Sequence, residues 1–230
     1  MNELPNKRLF SVAEEVRQDA IVADIGTDHA YLPIFLLENG RARFAYLTDI
    51  NKGPLERAEE NVHKAGLKDR VELILTDGIA ALANLPITDF CICGMGGELI
   101  AEIIASAPFA KDPKLKFILQ PMSREGVLRK SLYARGFEIE REIYSYDAGK
   151  YYVAFSVKYA GEPKIISEEE AECGLESAKF VNNSCYIGYI KKKIKSYERI
   201  ISGKRRANTD VTAEESILSA LSKRLSLIGG

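Results

Sequence analysis

The run Val22-Ala23-Asp24-Ile25-Gly26-Thr27-Asp28-His29-Ala30-Tyr31 passes from branched apolar residues through one glycine into polar residues, and a new apolar pattern opens at Leu32. That order predicts a strand, a tight turn and a helix. A glycine at such a turn lets backbone meet a ligand directly, because it has no Cβ. Phosphate is a poor guest: Asp24 and Asp28 flank the turn, and neither G-x-G-x-x-G nor G-x-x-x-x-G-K-[ST] spacing is present. The acids suit a ligand with positive charge or hydroxyls. S-adenosylmethionine carries an ammonium, a sulfonium and a ribose.

Outward from this turn, strand and helix alternate. Strands are expected at residues 20–25, 44–48, 71–75, 89–93 and 116–120, with helices over 31–38, 55–65, 80–84, 98–106 and 124–135. Leu9, Val12, Ala13 and Val16 fall at helical spacing, so residues 1–18 read as an amphipathic helix covering the sheet. Residues 137–144 and 151–159 form a hairpin joined through Asp147-Ala148-Gly149. The fold class is α/β: a Rossmann-like, mainly parallel sheet covered on both faces, with an antiparallel edge.

After Gly161-Glu162-Pro163 the period changes. Cys173, Ser177, Phe180, Ser184, Ile187, Ile190, Ile194, Tyr197 and Ile201 keep a 3,4 spacing, and Leu218, Leu221, Leu225 and Ile228 repeat it. Two helices with a long, polar, basic link over 203–212 make an antiparallel, coiled-coil-like helical hairpin. The expected division is therefore 1–160 and 161–230. Residues 191–206 hold Lys191, Lys192, Lys193, Lys195, Arg199, Lys204, Arg205 and Arg206 against the single acid Glu198. A polyanion such as RNA could dock on that band, although a stabilising lid on the sheet is the plainer account of the helices.

Composition sets the outer limits. The 230 residues are 46% hydrophobic with a formal net charge of -1, enough for one sizeable core and no guide to partners. No apolar run approaches the roughly 20 residues of a membrane span. Residues 1–10 lack the apolar segment of a signal peptide, so a cytoplasmic protein with no membrane partner is expected. Cys91, Cys93, Cys173 and Cys185 are too few and scattered for a disulfide framework, and Cys91-x-Cys93 is not metal-ligand spacing. Those two cysteines are expected on opposite faces of one buried strand, with no metal bound. A monomer is the working expectation.

In an open parallel sheet, ligands bind beyond the carboxyl ends of the strands, where strand order reverses. Asp24 with Gly26, Asp49, Asp77-Gly78 and Gly94-Met95-Gly96 stand at four successive ends. Asp49 follows Gly26 by 23 residues, close to the roughly 20 expected for a carboxylate on two ribose hydroxyls. Asp77 could receive the exocyclic amine of adenine. One such aspartate alone would be a turn or cap residue; the recurrence points to a shared ligand.

The order Asp24-Ile25-Gly26-Thr27-Asp28-His29-Ala30-Tyr31-Leu32-Pro33, Thr48-Asp49-Ile50-Asn51, Thr76-Asp77-Gly78 and Gly94-Met95-Gly96-Gly97, followed by a helical tail, resembles the bacterial tRNA (adenine-22-N1)-methyltransferase family. The resemblance covers essentially the whole chain. It implies a class I methyltransferase fold with seven strands, S-adenosylmethionine as donor, S-adenosylhomocysteine as product, and a C-terminal coiled-coil-like domain that helps to hold tRNA. The candidate donor site is then Asp24, Gly26, His29, Tyr31, Asp49, Ile50, Asp77, Gly78, Gly94 and Met95. The first loop departs from many methyltransferases in having one glycine where they have two or three, so Thr27-Asp28-His29 bring side chains into the donor pocket.

Enzymes that methylate an exocyclic amine usually carry [DNS]-P-P-[YF] after the fourth strand, where Gly94-Met95-Gly96-Gly97 here offers backbone and open space. Adenine N1 already has a lone pair, so for it an enzyme mainly aligns nucleophile, methyl carbon and sulfur. Positive charge then spreads over the adenine ring. A carboxylate near N6 would stabilise that charge or accept the proton later lost, and Asp28 is the candidate catalytic residue, with donor binding or helix capping as its plainer role. Gly96, Gly97, Gln120 and Pro121 are candidates for the base side of the pocket, with Met122 beside them. Lys191, Lys192, Lys193, Lys195 and Arg199 are candidates for tRNA phosphates. His29 is expected to pack rather than act as a base, His63 to be solvated, and Tyr31 to close over the methionine moiety or simply begin a helix. Other readings stay open: an NAD-dependent enzyme, disfavoured because Gly26 lacks glycine partners; a non-catalytic RNA-binding protein; and a methyltransferase acting on another RNA or a small molecule.

Overall fold

The computed structural model describes residue 4, residues 6–175 and residues 183–228. Its strands are β1 (Ala20–Ile25), β2 (Ala42–Asp49), β3 (Val71–Leu75), β4 (Asp89–Gly96), β5 (Lys116–Ser123), β6 (Phe137–Asp147) and β7 (Lys150–Tyr159). They form one sheet in the order β3-β2-β1-β4-β5-β7-β6. The first five neighbours pair in parallel, and β7 runs antiparallel to both β5 and β6. Strand order reverses between β1 and β4, which opens a crevice at their carboxyl ends. Every residue of β1 is buried, as a strand covered on both faces requires.

On one face lie α1 (Lys7–Ala13), α2 (Tyr31–Glu38) and α3 (Lys52–Lys64), packing Val12, Leu36 and Val62 with Val22, Leu47 and Cys91. On the other lie α4 (Gly97–Ala105) and α5 (Glu125–Ala134), where Ile100, Ile104 and Leu128 meet Phe90, Phe117 and Phe155. The tail adds α6 (Glu168–Cys173), α7 (Ser184–Arg206) and α8 (Thr212–Ile228) to this second face. Tyr186, Tyr189, Ile190, Ile217, Leu221 and Ile228 share the hydrophobic cluster of Phe155, so the tail helices are built onto the sheet. Burying each such side chain contributes roughly 1.5–3 kcal/mol. Ion pairs Lys204–Glu214 (2.7 Å) and Arg205–Glu215 (2.5 Å) join α7 to α8 where the hairpin turns.

One buried ion pair ties the tail to the sheet. Arg129 of α5 donates to Glu142 of β6 at 2.6 Å and to the Ala171 carbonyl of α6 at 2.7 Å. Its guanidinium also lies 4.8 Å from the Phe155 ring centroid.

The structure departs from the sequence expectations in several places. α1 stops at Ala13, and Arg41 Nε takes the Val16 carbonyl at 2.7 Å, turning the chain into β1. The short helix after β3 is one 3-10 turn, Ala80–Leu82. Cys91 and Cys93 pack toward the same cluster, because residues two apart on a strand share a face. The first tail helix does not run unbroken from Cys173. α6 opens on a capping box, with Ser167 Oγ accepting from the Glu170 amide and Glu170 from the Ser167 amide, and ends at Gly174. α7 begins anew at Ser184, capped by Asn183; Ser177 and Phe180 lie outside the described residues. α7 also continues through Gly203 to Arg206, leaving a link of only residues 207–211. Among the described residues no helix is long and apolar enough to cross a membrane.

Candidate active site

The turn after β1 is held from β2. The amides of Gly26 and Thr27 both donate to the Thr48 carbonyl, at 2.8 and 2.9 Å. Neither is free to face an anion, which explains physically why this turn does not suit phosphate. Gly26 has φ +74, a backbone that favours glycine, and a Cβ there would lie 2.2 Å from Met95 Cε of β4, so the Met95 side chain would have to swing aside. Asp24, in register between Leu47 and Cys91, is buried. Burial pushes its carboxyl up to about 6, with the Thr27 hydroxyl acting in the opposite direction.

Asp28 stands at the mouth of the crevice. Arg57 of α3 donates to its Oδ1 from Nε at 3.1 Å and Nη2 at 2.5 Å, and His29 Nε2 lies 3.2 Å from Oδ2. The Arg57 hydrogen bond leads in holding this carboxyl below its ordinary value, against a smaller desolvation effect, with His29 and the Arg57 charge adding to it. Asn61, one turn further along α3, donates to the His29 carbonyl at 3.0 Å. His29 stacks on Tyr31, ring centroids 5.2 Å apart. Tyr31 is the first residue of α2 and is 46% exposed.

At the next ends, Asp49 accepts the Asn51 amide on Oδ1 at 2.7 Å, while its carbonyl accepts from Thr76 at 3.0 Å. This turn aims the carboxylate out of the strand and joins β2 to the start of the loop holding exposed Asp77. Ile50 and Leu75 stand uncovered beside these acids, an apolar wall next to polar groups. Gly78, with φ +65, turns the chain toward Ser106 and Ile103 at the end of α4. Two exposed apolar side chains next to two carboxylates, on strand ends neighbouring a turn whose Gly26 and Thr27 amides are already bonded, fit a nucleoside carrying positive charge.

The base side differs from expectation. Gly94-Met95-Gly96 does not lie beyond β4 but continues it, through register shifts that pair Met95 with Pro121 and Gly96 with Ser123. Gly97 begins α4, and a Cβ there would lie 2.4 Å from the Arg124 carbonyl, so glycine lets α4 approach the β5–α5 corner. Gln120 is buried and committed: Arg8 of α1 donates to its Oε1, and its Nε2 donates to the Pro121 carbonyl at 2.7 Å. Pro121 is buried too, whereas Met122 is 45% exposed. At the end of β5 it is Met122 that stands exposed, its sulfur 3.7 Å from Gln120 Nε2; β5 continues to Ser123 because the irregular end of β4 pairs with it.

The basic band also divides. Lys191, Lys192, Lys195 and Arg199 are exposed, and with Lys150 of the β6–β7 turn they line one groove. Lys193 is buried against Glu172, 5.5 Å from the Tyr189 ring centroid, and so leaves the set of phosphate candidates. Burial opposes its charge, but Tyr189 and Glu172 hold its pKa above the ordinary lysine value. Sequence reasoning missed Arg57 and Asn61, whose signal was an i,i+4 polar pair beside the apolar stripe of α3, and Lys150, which carries no local signal. Among the described residues no cluster of three or more His, Cys, Asp or Glu is placed to hold a metal ion.

Residues 5–155 match the model of a methyltransferase domain family. The tRNA (adenine(22)-N(1))-methyltransferase of Bacillus subtilis is 36% identical over 153 residues, which cover 66% of this chain and 64% of that protein. A candidate tRNA (m1A22) methyltransferase of Streptococcus pneumoniae, solved in complex with S-adenosyl-L-methionine, superposes with a TM-score of 0.81 at 32% identity, over 95% of this chain and 98% of that one. M. capricolum TrmK, solved with S-adenosyl-homocysteine, superposes with a TM-score of 0.80 at 28% identity, over 98% and 100% of the two chains. The crevice at the β1–β4 switch point, its acids and the likeness along the whole fold lead to one assignment: the chain belongs to the methyltransferase-domain family and, within it, to the bacterial tRNA (adenine-22-N1)-methyltransferases.

Proposed function

We propose that the protein transfers the methyl group of S-adenosylmethionine to N1 of adenine 22 in tRNA, residues 1–160 forming the catalytic unit and residues 161–230 helping to dock the RNA. The observation that carries this reading is that the acid-lined crevice and the basic groove open on the same edge of the sheet. β6 runs parallel to β4, so Lys150, just past the end of β6, stands on the carboxyl edge with Asp49 and Asp77.

The donor supplies a methyl bonded to a sulfonium, which leaves as the neutral thioether of S-adenosylhomocysteine. Asp49 and Asp77 are assigned to the donor's ribose and adenine, with Ile50 and Leu75 as apolar walls. Gly26 allows close approach, and Met95 packs over it. Adenine N1 attacks with its own lone pair, so no residue need remove a proton first. Asp28, kept anionic by Arg57, faces the positive charge that grows on the ring. The low carboxyl pKa makes it a poorer proton acceptor than charge stabiliser. The target base must leave its stack to enter, and phosphate contacts at Lys191, Lys192, Lys195 and Arg199 hold the RNA while it does. Incubation of unmodified tRNA with labelled donor, followed by mapping of the altered base, tests the reading. Label at adenine 22 is expected, and label on another base or none at all refutes it.

A further inference from the structure

Tyr146 and Tyr151 oppose each other in the last pairs of the β6–β7 hairpin, ring centroids 4.6 Å apart. Tyr151 is wedged from behind: Gly188 of α7 lies so close that a Cβ there would come 2.2 Å from the ring. Tyr146 leans on this backed ring yet is itself 46% exposed. Beside the pair runs the groove of about 500 Å³, with five cations, Lys150, Lys191, Lys192, Lys195 and Arg199, and no acid in its lining.

Position along the edge adds a constraint. Continuing the Phe117↔Val157 register of β5 and β7 brings Tyr151 level with Ser123, which itself pairs with Gly96. Where β5 and β7 pair, three strand spacings separate β4 from β6, about 14 Å in all. That distance is about four stacked nucleotide steps. A cationic groove beside a rigid aromatic face is the arrangement that holds single-stranded nucleic acid, with charges on phosphates and the ring under a base.

We propose that the β6–β7 tip is a base-stacking platform on which Tyr146 holds an unpaired nucleotide near the target adenine, while Lys150 and the exposed lysines of α7 carry the adjoining phosphates. The proposal rests on tRNA being the substrate. Stacking here fixes where the strand leaves the crevice, a task that charge alone does not perform.

The test compares wild type, Tyr146→Ala and Tyr146→Phe, each as the full chain. It measures tRNA affinity by filter binding over a salt series, and S-adenosylhomocysteine affinity by calorimetry. Tyr146→Ala is expected to weaken tRNA binding about tenfold with an unchanged salt slope, and Tyr146→Phe, which keeps the ring, to bind as wild type does. Affinity for S-adenosylhomocysteine stays the same in all three. The proposal is overturned by an alanine variant within about twofold of wild type, by a phenylalanine variant as weak as alanine, or by donor affinity falling in step. A wild type that binds tRNA but methylates none of it would refute the proposed function while the binding comparison still decides the platform; a wild type that does not bind tRNA refutes both.

Discussion

Arg57 Nη2 of α3 lies 2.5 Å from Asp28 Oδ1, so the helix after the second strand grips the loop after the first. Asn61 repeats the grip on the His29 carbonyl. A carboxylate that would otherwise swing in solvent is thereby fixed at the crevice mouth and kept charged.

If Asp28 stabilises charge on the ring, Asp28→Ala should lower kcat by about a hundredfold and leave donor affinity nearly intact. Because the folded pKa is depressed, the carboxylate is ionised throughout the neutral range, and its loss of charge shows only as pH falls through that lowered value. Arg57→Ala should move the acid limb of the kcat profile to higher pH. The pair is more than half exposed, so its contribution to stability is at most about 1 kcal/mol, present above the ordinary carboxylate pKa and lost in acid. An Arg57→Ala profile that superposes on wild type would remove the clamp from the mechanism.

Asp24 presents the opposite sign. Its carboxyl is raised from 3.8 to about 6 by burial, so ionising it costs the free protein stability, about 3 kcal/mol at most. That cost is fully present above pH 6 and relieved as pH falls toward 3.8. Asp24→Asn should therefore raise the Tm of the unliganded protein at neutral and higher pH and flatten its change around pH 6. If Asp24 serves the donor's positive end, the same variant binds S-adenosylhomocysteine more weakly above that pH. A thermal-shift series across pH, with and without S-adenosylhomocysteine, reads both effects. A variant that loses stability at neutral pH would show that the carboxylate supports the fold.

The parts of this site that were legible are those written locally. Branched run, glycine and acid at β1, and the acids at the ends of β2 and β3, follow from period and turn chemistry within a few residues each, whereas Gly94-Met95-Gly96 reads as a strand end and continues β4 instead. Gln120 misled because its strand does not end where the apolar run ends: β5 extends to Ser123 only through pairing with the irregular end of β4, a long-range event. Lys193 misled for another reason. A count of charges ignores helical phase, and Lys193 sits three and four residues after Ile190 and Tyr189, on the buried stripe of α7. Arg57 lay hidden among the charged residues of α3: its i,i+4 spacing to Asn61 marks a polar face, but nothing local names the distant aspartate that this face will meet.

That division makes the basic residues separable by experiment. Lys191→Ala, Lys192→Ala and Lys195→Ala together should weaken tRNA binding and reduce its log–log salt slope by about 2–3, with the fold and donor affinity unchanged. Lys193→Ala should instead lower the Tm, because it removes the buried cation and the apolar stem that packs with it, and takes an ion-pair partner from half-buried Glu172. Filter binding over a salt series, set beside thermal melts, distinguishes the two. A slope unchanged in the triple variant would take phosphate contact away from this face.

Arg129 and Glu142 test how the tail is held. Both side chains are almost wholly buried, and the guanidinium reaches from α5 to β6 and to the backbone of α6. Removing one partner strands the other charge in a medium that cannot solvate it, so Arg129→Ala should cost about 3–5 kcal/mol. Glu142 also accepts from Tyr144 and from the Leu175 amide, so Glu142→Ala strands those donors along with Arg129 and should cost at least as much. Arg129→Met with Glu142→Leu removes both charges together and should recover part of the loss, although the tyrosine and amide donors still lack an acceptor. Urea melts of Arg129→Met, Glu142→Leu and their double variant give the coupling. Additive losses would mean that the two charges do not act as a pair, and that packing of α7 and α8 alone keeps the tail on the sheet.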